Sequence, residues 1–201
     1  MLTAYVAIAL LQLAKPTDLV YVRHGETVAN ATGKYNSKTL NTFSETGEKG
    51  VAALTRRLLK EPRFDRILVS PSPRALRTIA PYLRATGQKA TVWPLAYECC
   101  TGRRPRGVKP TKFTYAGRIE LPAEIASLFT FDTGRDRLPN SPDYGAGLAQ
   151  AAASVAEFRA RYAGGRVLVV GHSGHGGQFL FALTGKRYAV RNTTEMRFTL
   201  P

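Results

Sequence analysis

Cysteine is nearly absent from this chain. Cys99 and Cys100 are the only two, which excludes a disulfide scaffold and any zinc site built from paired CxxC motifs. A bridge between adjacent cysteines is strained, so both are expected as reduced thiols. Acidic side chains are scarce too: 14 Asp and Glu stand against 29 Lys and Arg, a net charge of +15. Such a balance attracts anions, whether nucleic acid, an anionic membrane surface or phosphorylated small molecules. There is no RNP-like aromatic pair, helix-turn-helix signature or zinc finger, so nucleic acid is not the expected partner. There is also no HxxxH pair, Asp-rich cluster or GxxxxGK[ST] loop, which argues against a metallophosphatase or a P-loop enzyme.

The first 14 residues, Met1 to Ala14, carry no charge and run into Lys15 and Pro16. That is too short for a transmembrane helix, which needs roughly 20 apolar residues. It lacks a basic leading region, and Gln12-Leu13-Ala14 is a poor cleavage site. We read residues 1–15 as an apolar segment and favour export to a periplasmic or extracellular location over retention in the cytoplasm. An ordinary N-terminal helix, or a start that omits part of a longer signal, is the alternative. Residues 16–201 are expected to form one domain. Oligomeric state is not readable.

Among what is present, 44% of the residues are apolar, enough for a real core. Three continuous runs, Leu19 to Val22, Ile67 to Val69 and Val167 to Val170, predict strands buried on both faces, as in a parallel sheet. Thr91 to Trp93 and Met196 to Leu200 are weaker strand candidates. Ser44 with Glu48 resembles a capping box opening a helix with Val51, Leu54 and Leu58 on one face. Pro73 opens another that stops at Gly87. Gly147 to Tyr162 and Gly176 to Leu183 are two further helices. The alternation predicts an α/β sandwich. Cys99 to Gly147 breaks the pattern with five prolines and the basic stretch Arg103, Arg104, Arg106, Lys109 and Lys112. It reads as a cap insertion over one end of the sheet, helical only from Leu121 to Phe131.

Each strong strand ends in reactive residues: Arg23-His24-Gly25-Glu26, Ser70-Pro71-Ser72-Pro73-Arg74 and Gly171-His172-Ser173-Gly174. Open α/β sheets bind ligands beyond the carboxyl ends of their strands. Two arginines and two imidazoles meeting there would make an anion pocket, because guanidinium forks match phosphate oxygens. An imidazole held among arginines stays neutral and nucleophilic near pH 7.

These residues resemble the histidine phosphatase superfamily, which includes the cofactor-dependent phosphoglycerate mutases. The resemblance rests on Leu19 to Thr27 with Asn30, on Ser44 to Gly47, on Ser70-Pro71 with Arg74-Ala75 and Thr78, and on Val169 to Gly174, in that order. It implies a three-layer α/β/α sandwich with a mostly parallel central sheet. It further implies that His24 attacks phosphorus and becomes a phosphohistidine, and that Arg23, Arg74 and His172 bind the phosphoryl oxygens. Asn30 sits at a polar phosphate contact, the Ser173 backbone N–H adds a donor, and Thr27 is a weaker candidate. Glu98, in Leu95-Ala96-Tyr97-Glu98, fits loosely as the proton donor, with Asp143 or Glu120 as fallbacks. No metal and no cofactor are implied. Many members carry an Arg and a Gly some residues after the Asn; here that stretch is Ala31 to Thr42, with Lys34 the only basic residue before Ser37-Lys38, and Tyr144 to Gly147 lacks the usual Glu. Both departures weaken the mutase reading. His175 lies outside the motif and is expected on the surface.

The leading expectation is a metal-independent phosphomonoesterase acting on a phosphorylated small molecule. A phosphoglycerate mutase-type phosphoryl transfer is the runner-up. A basic anion-binding protein with an idle catalytic core comes third. The basic insertion would bind the remainder of a polyanionic substrate or be merely a solvated loop. Tyr97, Phe113 and Tyr115 would line a leaving group or pack the insertion.

Overall fold

The apolar runs form strands of a computed structural model that describes residues 15–201; the reading of Met1 to Ala14 lies outside the described residues. Thr17–Arg23 is β1 and is followed by the short helix α1, Val28–Thr32. Helix α2, Glu45–Leu58, is capped by Ser44, whose Oγ accepts from the Gly47 N–H at 3.0 Å. Glu48 falls one residue beyond the position that would close the box, so only the serine half of the cap forms. Strand β2, Arg66–Val69, leads into α3, Pro73–Thr86. Pro73 sits in its first turn, where a missing N–H costs nothing. Gly87 ends it in the left-handed region at φ 68°.

Strand β3, Ala90–Val92, is followed by β4, Thr114–Arg118, β5, Phe129–Phe131, and β6, Arg137–Asn140. Helix α4, Tyr144–Glu157, strand β7, Gly165–Gly171, helix α5, Ser173–Thr184, and strand β8, Glu195–Leu200, complete the chain.

The six strands β5-β3-β2-β7-β1-β8 make one sheet. All neighbours run parallel except β8, which pairs antiparallel with β1. Side chains alternate across it. Val20, Val22, Ile67, Val69, Leu168 and Val170 face α2 and α3, whereas Leu19, Tyr21, Leu68, Val167, Val169 and Trp93 pack with Phe158, Phe179 and Leu180. Burial on both faces is why the strand sequences are continuous rather than alternating. Each such Val or Leu contributes roughly 1.5–3 kcal/mol on burial. Helices on either face make this an α/β/α sandwich with a mostly parallel sheet.

Three expected boundaries move. Helix α4 begins at Tyr144 rather than Gly147, because Asp143 Oδ1 accepts from the Ala146 N–H at 2.8 Å and starts the helix earlier. Past Glu157 the chain widens into a π turn, Phe158–Tyr162. Helix α5 begins at Ser173 rather than Gly176. Leu121 to Phe131 is not a helix: a 3₁₀ turn, Ala126–Leu128, precedes β5, which pairs in parallel with β3. Phe129, Thr130 and Phe131 suit a pleated edge, and Phe129 is buried in the core. The strand preference of these three residues is realised by pairing along the open edge of β3. Strands β4 and β6 form a separate antiparallel ribbon. Among the described residues, no helix is long and apolar enough to cross a membrane.

Candidate active site

Parallel register sets the site. Arg23 lies opposite Gly171, and Val69 opposite Val170, so β1, β2 and β7 end at one level. Backbone bonds extend the match past the strands: His24 N–H donates to Gly171 C=O at 3.0 Å and Ser70 N–H to Val170 C=O at 2.9 Å. The segments after these strands therefore converge on one cleft of about 650 Å³.

His24 is buried and fixed from three sides. Its Nδ1 lies 2.7 Å from its neighbour's carbonyl, Gly25 C=O, which can only accept, so Nδ1 carries the proton. Asn192 Nδ2 donates to His24 C=O at 2.7 Å. Thr78 Oγ1 accepts from the Gly25 N–H at 2.9 Å and donates to Arg74 C=O. The remaining ring nitrogen, Nε2, keeps a lone pair that accepts from Arg74 Nε at 3.1 Å. Burial, then the Arg74 charge, pushes the His24 pKa down to about 3. The ring is neutral at any ordinary pH.

Arg74 spans both imidazoles. Its Nη2 lies 3.2 Å from His172 Nδ1. A guanidinium cannot accept, so Nδ1 of His172 does. His172 Nε2–H then donates to Ser70 Oγ at 2.7 Å, with Ser72 Oγ at 3.2 Å. Burial, followed by the Arg74 charge, holds the His172 pKa well below the imidazole range. The two rings stand 5.1 Å apart. The His172 backbone is clamped by Tyr21, whose hydroxyl donates to His172 C=O at 2.9 Å and accepts from His172 N–H at 3.0 Å.

Arg23 reaches Val190 C=O with Nη1 at 3.3 Å, while its buried Nε has no partner among the described residues. Burial lowers both Arg23 and Arg74 below the usual guanidinium value, and the Glu98 carboxylate opposes this. A desolvated, partly unsatisfied pair of guanidinium groups favours an incoming anion.

Glu98 lies across the cleft with its side chain 17% exposed. Oε1 accepts from His175 N–H at 2.9 Å and Cys99 N–H at 3.2 Å. Oε2 lies 4.0 Å from His172 Nδ1. Burial raises the carboxyl above its usual range, against the pull of those two N–H groups and of Arg74 and Arg23. Its loop is anchored by Gln150 of α4, fully buried, whose Nε2 donates to Leu95 C=O and Tyr97 C=O at 3.0 and 2.8 Å.

The remaining candidates divide. Asn30 and Thr27 line the cleft, but they also cap α1 reciprocally at 3.2 Å each way. Asn30 Oδ1 is committed there, which leaves its amide N–H₂ for a ligand. Ser173 and Gly174 open α5 against the cleft, where first-turn N–H groups lack helical partners. Asp143 is the α4 cap, and neither it nor the exposed Glu120 lines the cleft. His175 is not on the surface. It is fully buried against Trp93 and Phe179, with Nε2 2.9 Å from Ser154 Oγ. Tyr97, Phe113 and Tyr115 do not line the cleft.

Sequence reasoning missed Asn192, Tyr21 and Gln150, which position the reacting groups from elements far away in the chain. It also missed Tyr35, Leu40, Tyr144 and Gln178, which line the cleft. Asn192 carries no local signal. Cys99 and Cys100 are free thiols, with Cys100 Sγ 3.4 Å from Cys99 Sγ and Cys100 on the cleft wall.

The sequence model of the histidine phosphatase superfamily (branch 1) matches residues 19–196. No curated protein matches the chain. Solved structures of similar fold include a phosphoglycerate mutase from Bacillus anthracis, 18% identical over 92% of this chain and 88% of that one, at a TM-score of 0.59. A mycobacterial glucosyl-3-phosphoglycerate phosphatase is 19% identical over 92% and 90%, at 0.55. A phosphoserine phosphatase from Entamoeba histolytica is 15% identical over 90% of each chain, at 0.53.

Proposed function

This chain belongs to the histidine phosphatase superfamily, and from that premise we propose that it hydrolyses phosphomonoesters of small molecules through a phosphohistidine on His24. Phosphoryl transfer is common ground for a family whose structural neighbours here include phosphatases and a mutase. The observation that carries the finer reading is the protonation pattern: His24 is neutral with its proton on Nδ1 and its lone pair on Nε2, where Arg74 Nε now donates and an incoming phosphoryl group would take its place, and a raised carboxyl, Glu98, stands across the cleft.

In the first step His24 Nε2 attacks phosphorus along the line of the departing oxygen. The N–P bond forms and the P–O ester bond breaks. Protonated Glu98 gives its proton to the leaving alkoxide. Arg74, Arg23, the Asn30 amide and the first-turn N–H groups of α5 bind the equatorial oxygens, where charge accumulates. His172, neutral and fully buried, does not itself line the cleft; with Nε2 on Ser70 and Nδ1 on Arg74 it holds the Arg74 guanidinium in place. In the second step Glu98, now a carboxylate, takes a proton from water. The water oxygen attacks phosphorus, the N–P bond breaks, and phosphate leaves.

Hydrolysis is favoured over mutase transfer by the chain's own departures at Ala31 to Thr42 and Tyr144 to Gly147, where a mutase-like pattern would hold a doubly phosphorylated intermediate. The test is phosphate release from nitrophenyl phosphate in EDTA by the wild type and by His24→Ala. Turnover in the chelator, lost in the variant, is expected. Activity that disappears with EDTA and returns with added metal overturns the reading. Isomerised product that requires a bisphosphate primer would establish the mutase instead.

A further inference from the structure

Beside the cleft lies a second cavity, of about 840 Å³, walled by Arg103, Arg104, Arg106 and Val108 of the insertion and by Arg187 beyond α5. Its four arginines come from two separate chain segments, and no acidic residue shares the wall. None of the four forms an ion pair among the described residues. Arg104 Nη2 reaches only Val108 C=O at 3.5 Å, and Arg187 lies over the Phe181 ring at 5.3 Å. The insertion curls to present them because Gly102 and Gly107 adopt φ of 77° and 71°.

This groove adjoins the cleft. Cys100, Thr101 and Gly102 line the cleft, and Arg103 begins the groove. Tyr144, a cleft residue, sits between the two: burial pushes its hydroxyl up, while the charges of Arg104 and Arg187 pull it down. Four like charges held together repel one another, so an anion that neutralises them is bound favourably.

We infer that the four-arginine groove is an anion subsite that receives a second phosphate of the substrate while the first is held at His24. The substrate class is then a small molecule carrying at least two phosphate groups. This rests on the phosphatase reading for the first phosphate and on the groove alone for the second.

The test compares alkane α,ω-bisphosphates of increasing chain length with their matched monophosphates at fixed ionic strength. The enzymes are the wild type and the triple variant Arg103→Gln/Arg104→Gln/Arg106→Gln, whose exposed positions leave the fold intact as checked by circular dichroism. We expect at least one chain length to exceed its monophosphate in kcat/KM by about tenfold or more, as one or two charged contacts would give. The triple variant should erase that preference and leave nitrophenyl phosphate hydrolysis within about twofold of wild type. A series in which no bisphosphate beats its monophosphate, or a preference that survives the variant, overturns the subsite. If the wild type releases no phosphate at all, the phosphatase reading has failed separately, and calorimetric binding of the same series decides. Binding weakened in the variant supports the subsite, and equal binding overturns it. Loss of duplex DNA binding alone, with bisphosphate binding unchanged, assigns the groove to nucleic acid and overturns it as well.

Discussion

At the scale of single residues, the proposed chemistry depends on two groups whose pKa values are pushed in opposite directions within one cleft. Burial drives His24 down to about 3 and Glu98 up. Attack needs His24 unprotonated, so activity rises as pH climbs through about 3. Donation needs Glu98 protonated, so activity falls once pH passes its raised value. The account predicts a bell-shaped kcat/KM profile whose acid limb lies near 3 and whose alkaline limb follows the raised Glu98 carboxyl. Glu98→Gln should lower kcat/KM for an alkyl phosphate by about 10²–10⁴-fold, the usual contribution of a general acid. For nitrophenyl phosphate, whose leaving group needs no proton, the loss should be far smaller. Equal losses on both substrates would remove Glu98 from the donor role. Arg23, His24, Arg74 and His172 were legible because each lies at the end of, or within a few residues after, a strand that declares itself by apolar run. His175, three residues after His172, was misread. Its neighbours in the sequence are glycines and a glutamine, and nothing local announces that Trp93 and Phe179 close over it.

At the scale of elements, the joint between β7 and α5 places Ser173 and Gly174 on the cleft, and Tyr21 of β1 locks it. Its hydroxyl both donates to and accepts from His172 backbone groups. A Cβ built on Gly171 would stand 2.4 Å from that hydroxyl, and one on Gly176 2.3 Å away. These glycines are spaces for a phenol, which is why α5 tolerates residues that disfavour helices and why its start was read too late. Gly171→Ala should destabilise by about 1–3 kcal/mol through overpacking. Tyr21→Phe should cost about 1–3 kcal/mol by leaving the His172 N–H buried and unpaired. Because removing the hydroxyl also clears the clash, the double variant should be more stable than the sum of the two losses by at least about 1 kcal/mol. Chemical denaturation of the four proteins measures this, and strict additivity would refute the clamp. Strand β5 marks the opposite limit of sequence reading. Its three residues favour a strand, but so short a run is fixed as one by the open edge of β3, a fact held in the topology and not in Leu121 to Phe131.

At the scale of the whole molecule, three neutral imidazoles are folded into one basic protein. His24 and His175 fall from 6.5 to about 3 on burial, and His172 falls well below 6.5. The unfolded chain therefore takes up these protons first as pH drops. Stability is full above about 6.5 and declines as pH falls from there toward about 3, by about 1.4 kcal/mol per pH unit for each site. His175 is the separable member: its backbone N–H donates to Glu98, but its ring lies against Ser154, Trp93 and Phe179. His175→Phe, packed on the Phe179 ring that now stacks at 5.8 Å, should flatten the slope of stability between pH 6 and 4 by about one proton. Denaturant midpoints across that range read the slope, and an unchanged slope would show that His175 is not the group titrating. Net charge was readable in the sequence as a preference for anions. Where that charge gathers was not, because Arg187 joins Arg103, Arg104 and Arg106 only through the fold.

The most direct measurement of the central claim is a phosphoenzyme trap. Glu98→Gln, mixed with nitrophenyl phosphate in EDTA and quenched within seconds, lacks the base that activates water, so the covalent intermediate should accumulate. Mass spectrometry of the digested protein should then find one phosphoryl group, acid-labile and base-stable, on His24, and none in the Glu98→Gln/His24→Ala double variant. Nitrophenol release without any phosphoryl group on the protein, or a group found on another residue, would contradict the account.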